Sequence, residues 1–224
     1  MFRSIIDFWK GRDFLDQVLG DFSKMLIDSE EIYRMVMDAL RSGGQPGPLG
    51  ERIYEIDKHI NDRQIAIRRR IVEHMAVQPH ADLHFSLVLM SVIKDAERLG
   101  DYVKNLFEVF ELKDGPIDAA LLQSYFGTLP DDVAQLFTRT HEAFVNSNED
   151  LARRVIGDHH KAEKLCNEVL EKVSHDDALA VNDAVSLALL ARFLKRIAAH
   201  LGNIATSVVM PVDRLDYFDE RRKS

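Results

Sequence analysis

Apolar residues recur along this chain at helical spacing. Asp13 can cap a helix that runs to about Ser42. Within it Val18, Phe22, Met25, Ile32, Val36 and Ala39 fall at alternating three- and four-residue steps, with Ser29 in the one gap. That is the pattern of a bundle seam. GGQPGPLG, residues 43–50, breaks it. A second helix follows, with Ile53, Ile56, Ile60, Ile67 and Ile71 on one stripe, and Gln78 and Pro79 mark a short turn. A third and most apolar helix is expected from about Pro79 to Leu112. KDGP, residues 113–116, divides the chain almost in half. Residues 117–126 read as a short helix, and Pro130 opens a longer one to about Val145. NSNED, residues 146–150, caps the next, ending near Ser174. Ser174 with Asp177 reads as a capping box for a last helix to about Met210. PVDRLDYFDERRKS is polar and is expected to fray.

The two halves match in order and spacing. Leu49, Arg52, Ile53 and Asp57 correspond to Leu151, Arg154, Val155 and His159 at one offset. Arg98, Leu99 and Asn105 correspond to Arg196, Ile197 and Asn203 at a slightly shorter one. The expected fold is therefore all-α, with two tandem three-helix bundles related by internal pseudo-symmetry. The expected divisions are residues 1–112 with an N-terminal arm, residues 113–210, and a polar tail over 211–224.

Composition narrows the function. Glycine (11) and proline (6) are sparse and clustered, as a helical protein requires. The formal charge of −8 repels nucleic acid, so none is expected as a partner. Cys166 is the sole cysteine, which excludes an internal disulfide or thiolate cluster and fits a reducing cytosol. No run approaches the roughly 20 apolar residues that span a bilayer. MFRSIIDFWKGR lacks the marks of a signal peptide. Its Phe2, Ile5, Ile6, Phe8 and Trp9 suit an arm that covers a bundle end, or else a short surface for a membrane or partner.

One helical row begins apolar and ends acidic: Met90, Ile93, Glu97 and Asp101. Its two carboxylates, four residues apart, repel unless something positive sits between them. A cation bound by oxygen would serve, and so would Arg98 or Lys94 folding back. Asp57 and Asn61 repeat the spacing on the preceding helix, which places up to four oxygen donors in one patch. The second half offers His159, Glu163 and His200, with Asp158 and His160 nearby, a mixed set suited to a transition metal. Lys195 and Ala199 stand there in place of the acidic pair, so this set is the poorer one. Glu-x-x-His pairs, a nucleophile elbow and a Gly-rich phosphate loop are all missing from the sequence, and no enzyme is expected.

KDAERLGDYVKN, residues 94–105, resembles the signature of the PhoU family of phosphate-uptake regulators, through Asp95, Glu97, Arg98, Leu99, Gly100, Asp101 and Asn105. LARRVIGDHH, residues 151–160, and the Ala81-Asp82-Leu83 turn are similar to further family patterns, and Asp57 matches the first aspartate of the motif on the helix before. The resemblance implies two three-helix repeats and regulation without catalysis. It implies a cytosolic protein, peripheral to the inner face of the membrane, that forms a homodimer and joins a membrane phosphate transporter to a sensor histidine kinase. The family's acidic motifs are implicated in binding iron or other metals. That role passes to Asp57, Glu97 and Asp101, with Asn61, His159, Glu163, Lys195 and Ala199 departing from the pattern. Arg98 and Arg196, at matching places, are the candidate partner contacts. Two other classes remain: a metal-binding storage or redox protein, and a helical scaffold for another membrane transporter.

Overall fold

The computed structural model describes residues 13–42, 47–78, 82–113 and 117–215. The N-terminal aromatic arm and the last nine residues lie outside them. The described residues form α-helices and one 3-10 turn, in the order α1 (Asp13–Ser42), α2 (Gly47–Val77), α3 (Leu83–Leu112), α4 (Ala119–Phe126), α5 (Leu129–Val145), α6 (Glu149–Ser174) and α7 (Val181–Val209), then Val212–Arg214.

The periodic positions become the core. Val18, Phe22, Met25, Ile32 and Val36 of α1 are buried, and so is the isoleucine stripe of α2. Ser29, the polar residue in the seam, is also buried, and its hydroxyl donates to the Met25 carbonyl (2.9 Å). A buried hydroxyl with a partner avoids the cost of desolvation. Two helix starts fall later than the sequence pattern places them. Asp82, just before α3, has φ of 61°, a left-handed conformation that a helix cannot run through, so α3 begins at Leu83 rather than near Pro79. Its carboxylate meets His74 Nε2 at 2.7 Å and ties the end of α2 to the start of α3. The Ser174–Asp177 capping box does not form. Ser174 closes its own helix by donating to the Glu171 carbonyl (2.8 Å), and α7 starts only at Val181.

Helices α1, α2 and α3 contact one another, as do α5, α6 and α7. The two triplets meet through like against like: α1 against α5, and α3 against α7. One hydrophobic core runs through all of them. Phe22 packs on Phe144 (centroids 4.6 Å apart) and Tyr33 on Phe137 (5.2 Å). The Tyr33 hydroxyl donates to the Pro130 carbonyl (2.8 Å), which satisfies a fully buried polar group across the α1–α5 contact. The start of the polar tail is not frayed. It makes the 3-10 turn against α3, and Leu215 is buried. No helix among the described residues is long and apolar enough to cross a membrane.

Candidate functional site

Three polar clusters lie along the second and third helices of the two triplets. The first is the acidic patch between α2 and α3. Gly100 sets its geometry. A Cβ there would lie 3.0 Å from Ile60 Cδ1 and 3.5 Å from Asp57 Oδ1, so the glycine lets α2 come close and brings Asp57 onto α3. The structure gathers Asp57, Glu97 and Asp101 as the spacing implies, but with a lysine among them. Lys104 Nζ lies 3.0 Å from Asp57 Oδ2 and 3.4 Å from Asp101 Oδ1. Arg98 lies across the outer side, 3.8 Å from Glu97 and 3.7 Å from Asp101. Lys94, the other cation the sequence offered, turns instead to Asp95 (2.9 Å). Asn61 follows one turn beyond Asp57 and is half-buried.

The Glu97 carboxyl lies in the field of the other two acids. Burial, then the charges of Asp101 and Asp57, hold the Glu97 carboxyl above the usual range against the opposing pull of Arg98 and Arg68. Burial alone would lower the Lys104 ammonium, but its bonds to Asp57 and Asp101 outweigh that and raise it.

The second cluster is the counterpart on α6, where His159 packs against Gly202 of α7. His159, His160 and Glu163 bring one donor atom each to within 4.8 Å of the others. His160 Nδ1 lies 3.5 Å from Glu163 Oε2. The other candidates here are drawn elsewhere. Asp158 binds Arg139 (3.1 Å) and Lys161 (2.7 Å). Lys195 donates to Asn167 on α6 (2.9 Å). Cys166 is buried, and that burial pushes its thiol up to about 12, which suppresses the thiolate that metals and electrophiles need.

His200 does not join that set, contrary to the sequence expectation. It points across the α3–α7 contact, where Nδ1 donates to Asp95 Oδ1 (2.7 Å). Asn203 Nδ2 donates to the same oxygen (3.0 Å), and Lys94 holds the other. Burial would push the Asp95 carboxyl up, but these three bonds hold it below the usual carboxylate range. Asp95 thus anchors a third cluster. Its place in the signature could be read from sequence, but two of its three partners, His200 and Asn203, lie more than a hundred residues away. Lys104 could have been found directly, since it falls one turn after Asp101 on the same face.

The donor sets differ in what they suit. Carboxylates from adjacent helices are the right oxygen donors for a hard cation, but in the first patch an ammonium already lies between two of them. The second set mixes imidazole and carboxylate and suits a borderline divalent ion. Arg98 and Arg196 are both exposed, on α3 and α7.

The family model of the PhoU domain matches residues 22–110, which run from within α1 nearly to the end of α3, and again residues 129–208, which run from the start of α5 nearly to the end of α7. A protein of Methanothermobacter thermautotrophicus, named phosphate-specific transport system accessory protein PhoU homolog 1, is 27% identical over 168 residues, 72% of this chain and 76% of its own length. Among solved structures, the phosphate transport system regulatory protein PhoU of Streptococcus pneumoniae superposes with a TM-score of 0.75 at 19% identity, covering 91% of this chain and 95% of that one. PhoU of Pseudomonas aeruginosa gives 0.76 at 23% identity, covering 88% and 95%. At these identities the two structures speak for the shared all-α fold.

Proposed function

This chain belongs to the PhoU family, and from that membership we propose that it is a non-catalytic regulator of phosphate transport that couples a membrane phosphate transporter to a sensor histidine kinase. The observation that carries the reading is the match of each three-helix unit to the PhoU domain. The names of its relatives, accessory and regulatory proteins of phosphate transport, support the same pathway. The protein acts at the cytoplasmic face of the membrane and as a homodimer. Broad helix faces serve as docking surfaces. Arg98 and Arg196 offer two exposed guanidinium groups at matching places, suited to carboxylates of a partner.

Deleting the gene tests this. Phosphate uptake and kinase-dependent transcription should then persist in phosphate-rich medium. Normal repression in the deletion strain would remove the reading. In the complemented strain, Arg98→Ala with Arg196→Ala should weaken recovery of the transporter from membranes by about tenfold, as loss of interface arginines commonly does.

A second reading, metal binding in the service of storage or redox chemistry, is favoured by one observation, the convergence of His159, His160 and Glu163. These residues would hold a single divalent ion such as iron or zinc, which when bound supplies a Lewis-acid or redox centre. Elemental analysis of protein purified without added metal tests it. Metal present in the native chain and lost in His160→Ala with Glu163→Gln supports the site, and a metal-free native chain removes it.

A further inference from the structure

The metal that the family implies for the first acidic patch does not fit the residues present there, because Lys104 is in the way. Its ammonium lies 3.0 Å from a carboxylate on α2 and 3.4 Å from one on α3, which is where a bridging cation would have to sit. We propose that Lys104 is a tethered counter-ion that takes the place of the metal, so that this patch assembles and holds α2 to α3 without any metal ion.

Three observations carry this. The first is register. Lys104 follows Asp101 by three residues and Glu97 by seven, so all three side chains leave one face of α3. The second is charge. Asp57, Glu97 and Asp101 are met by Lys104 and Arg98, and Glu97 also feels Arg68, which leaves at most one unbalanced negative charge, too little to draw in a multinuclear ferric cluster. Asp57 Oδ1, buried against Gly100, accepts no hydrogen bond among the described residues, and it is the one deeply placed donor the ammonium leaves over.

The third is the other half of the chain. By the offset that pairs Arg98 with Arg196, Lys104 corresponds to Gly202, and Asp57 corresponds to His159. The counterpart pair is in contact too. A Cβ on Gly202 would lie 2.6 Å from His159 Nδ1. Where α2 carries an acid, α3 answers with an ammonium. Where α6 carries a bulky imidazole, α7 answers with no side chain at all. The lysine therefore belongs to the aspartate as a matched pair, and the half that lost the aspartate has neither the lysine nor room for it.

The test uses the full chain carrying His160→Ala and Glu163→Gln, to silence the second cluster. Millimolar Mn²⁺ or ferric citrate should leave its melting temperature unchanged, and the purified protein should carry no bound metal. Adding Lys104→Met should open the patch. Mn²⁺ should then raise the melting temperature by about 2–4 °C or more, as a ligand selective for the native state does in a chain of this size. Asp101→Asn should erase that rise. Metal bound by the Lys104-containing protein and lost in Asp57→Asn with Asp101→Asn would overturn the proposal. So would a Lys104→Met protein that folds and still ignores Mn²⁺. If Lys104→Met does not fold, the first arm, which leaves Lys104 intact, decides alone.

Discussion

At the scale of single residues, two glycines and one aspartate set the polar geometry. Gly100 and Gly202 both admit a neighbouring helix, but what each one meets differs. A Cβ at Gly100 meets the far end of Ile60, a flexible chain, at 3.0 Å. Gly100→Ala should therefore be near neutral, because the methyl's gain in helix propensity of about 1 kcal/mol offsets a small shift of Ile60. At Gly202 three atoms of the buried His159 ring would stand within 3.0 Å. Gly202→Ala should cost about 1–3 kcal/mol by overpacking, read from urea unfolding, and His159→Ala should relieve most of it. Asp95 is 1% exposed and bonded by His200, Asn203 and Lys94. Asp95→Asn should cost about 2–4 kcal/mol, since it removes charge-assisted bonds from a buried site. The sign with pH follows from its lowered pKa. Its contribution is complete above the unfolded value of about 4 and is lost as pH falls through the lower folded value. Acid unfolding curves of native and Asp95→Asn protein should therefore converge below about pH 4, the range in which the unfolded aspartate takes up its proton.

At the scale of the element, the periodicity of apolar residues was enough to find every main helix, because each buries one stripe. The errors fell at ends, where backbone conformation decides. Nothing in the sequence announces that Asp82 adopts a left-handed φ, or that Ser174 turns back to its own helix. Where a cap was read rightly, it is a specific bond: Asn148 Oδ1 accepts from the Leu151 amide at 3.0 Å and opens α6. Asn148→Ala should cost about 1 kcal/mol, read as a lower midpoint of chemical unfolding. Site residues were legible as far as helical spacing reaches. Asp57, Glu97 and Asp101 converge as read, since they follow from i, i+4 geometry and antiparallel neighbours. His200 went astray because its direction depends on how α3 and α7 cross, which no local spacing encodes. Lys104 follows from the same rule that gives the acids, one turn past Asp101, but as the other side of an ion pair rather than as a ligand.

At the scale of the whole molecule, the triplets share one core through α1 against α5 and α3 against α7. Neither triplet can leave the other without exposing apolar surface and the buried Tyr33 and Asp95 bonds. Heating should thus give one cooperative transition, with coincident curves from far-ultraviolet circular dichroism and from near-ultraviolet signals. Two separate transitions would show that the halves are energetically independent.

The crossing of α3 and α7 has a further consequence. Tyr102 and His200 hold corresponding positions in the two halves, yet they stack on each other, with centroids 5.4 Å apart. Likewise Tyr102 touches Phe193 while His200 binds Asp95, and Phe193 and Asp95 also correspond. In two identical units paired about a true two-fold axis, each of these side chains would face its twin or its twin's neighbour, and aspartate could not stand on one side alone. Two units of different sequence in one polypeptide are free of that constraint. The greasy seam on one flank and the charged latch on the other are a freedom that comes from the two units not being identical.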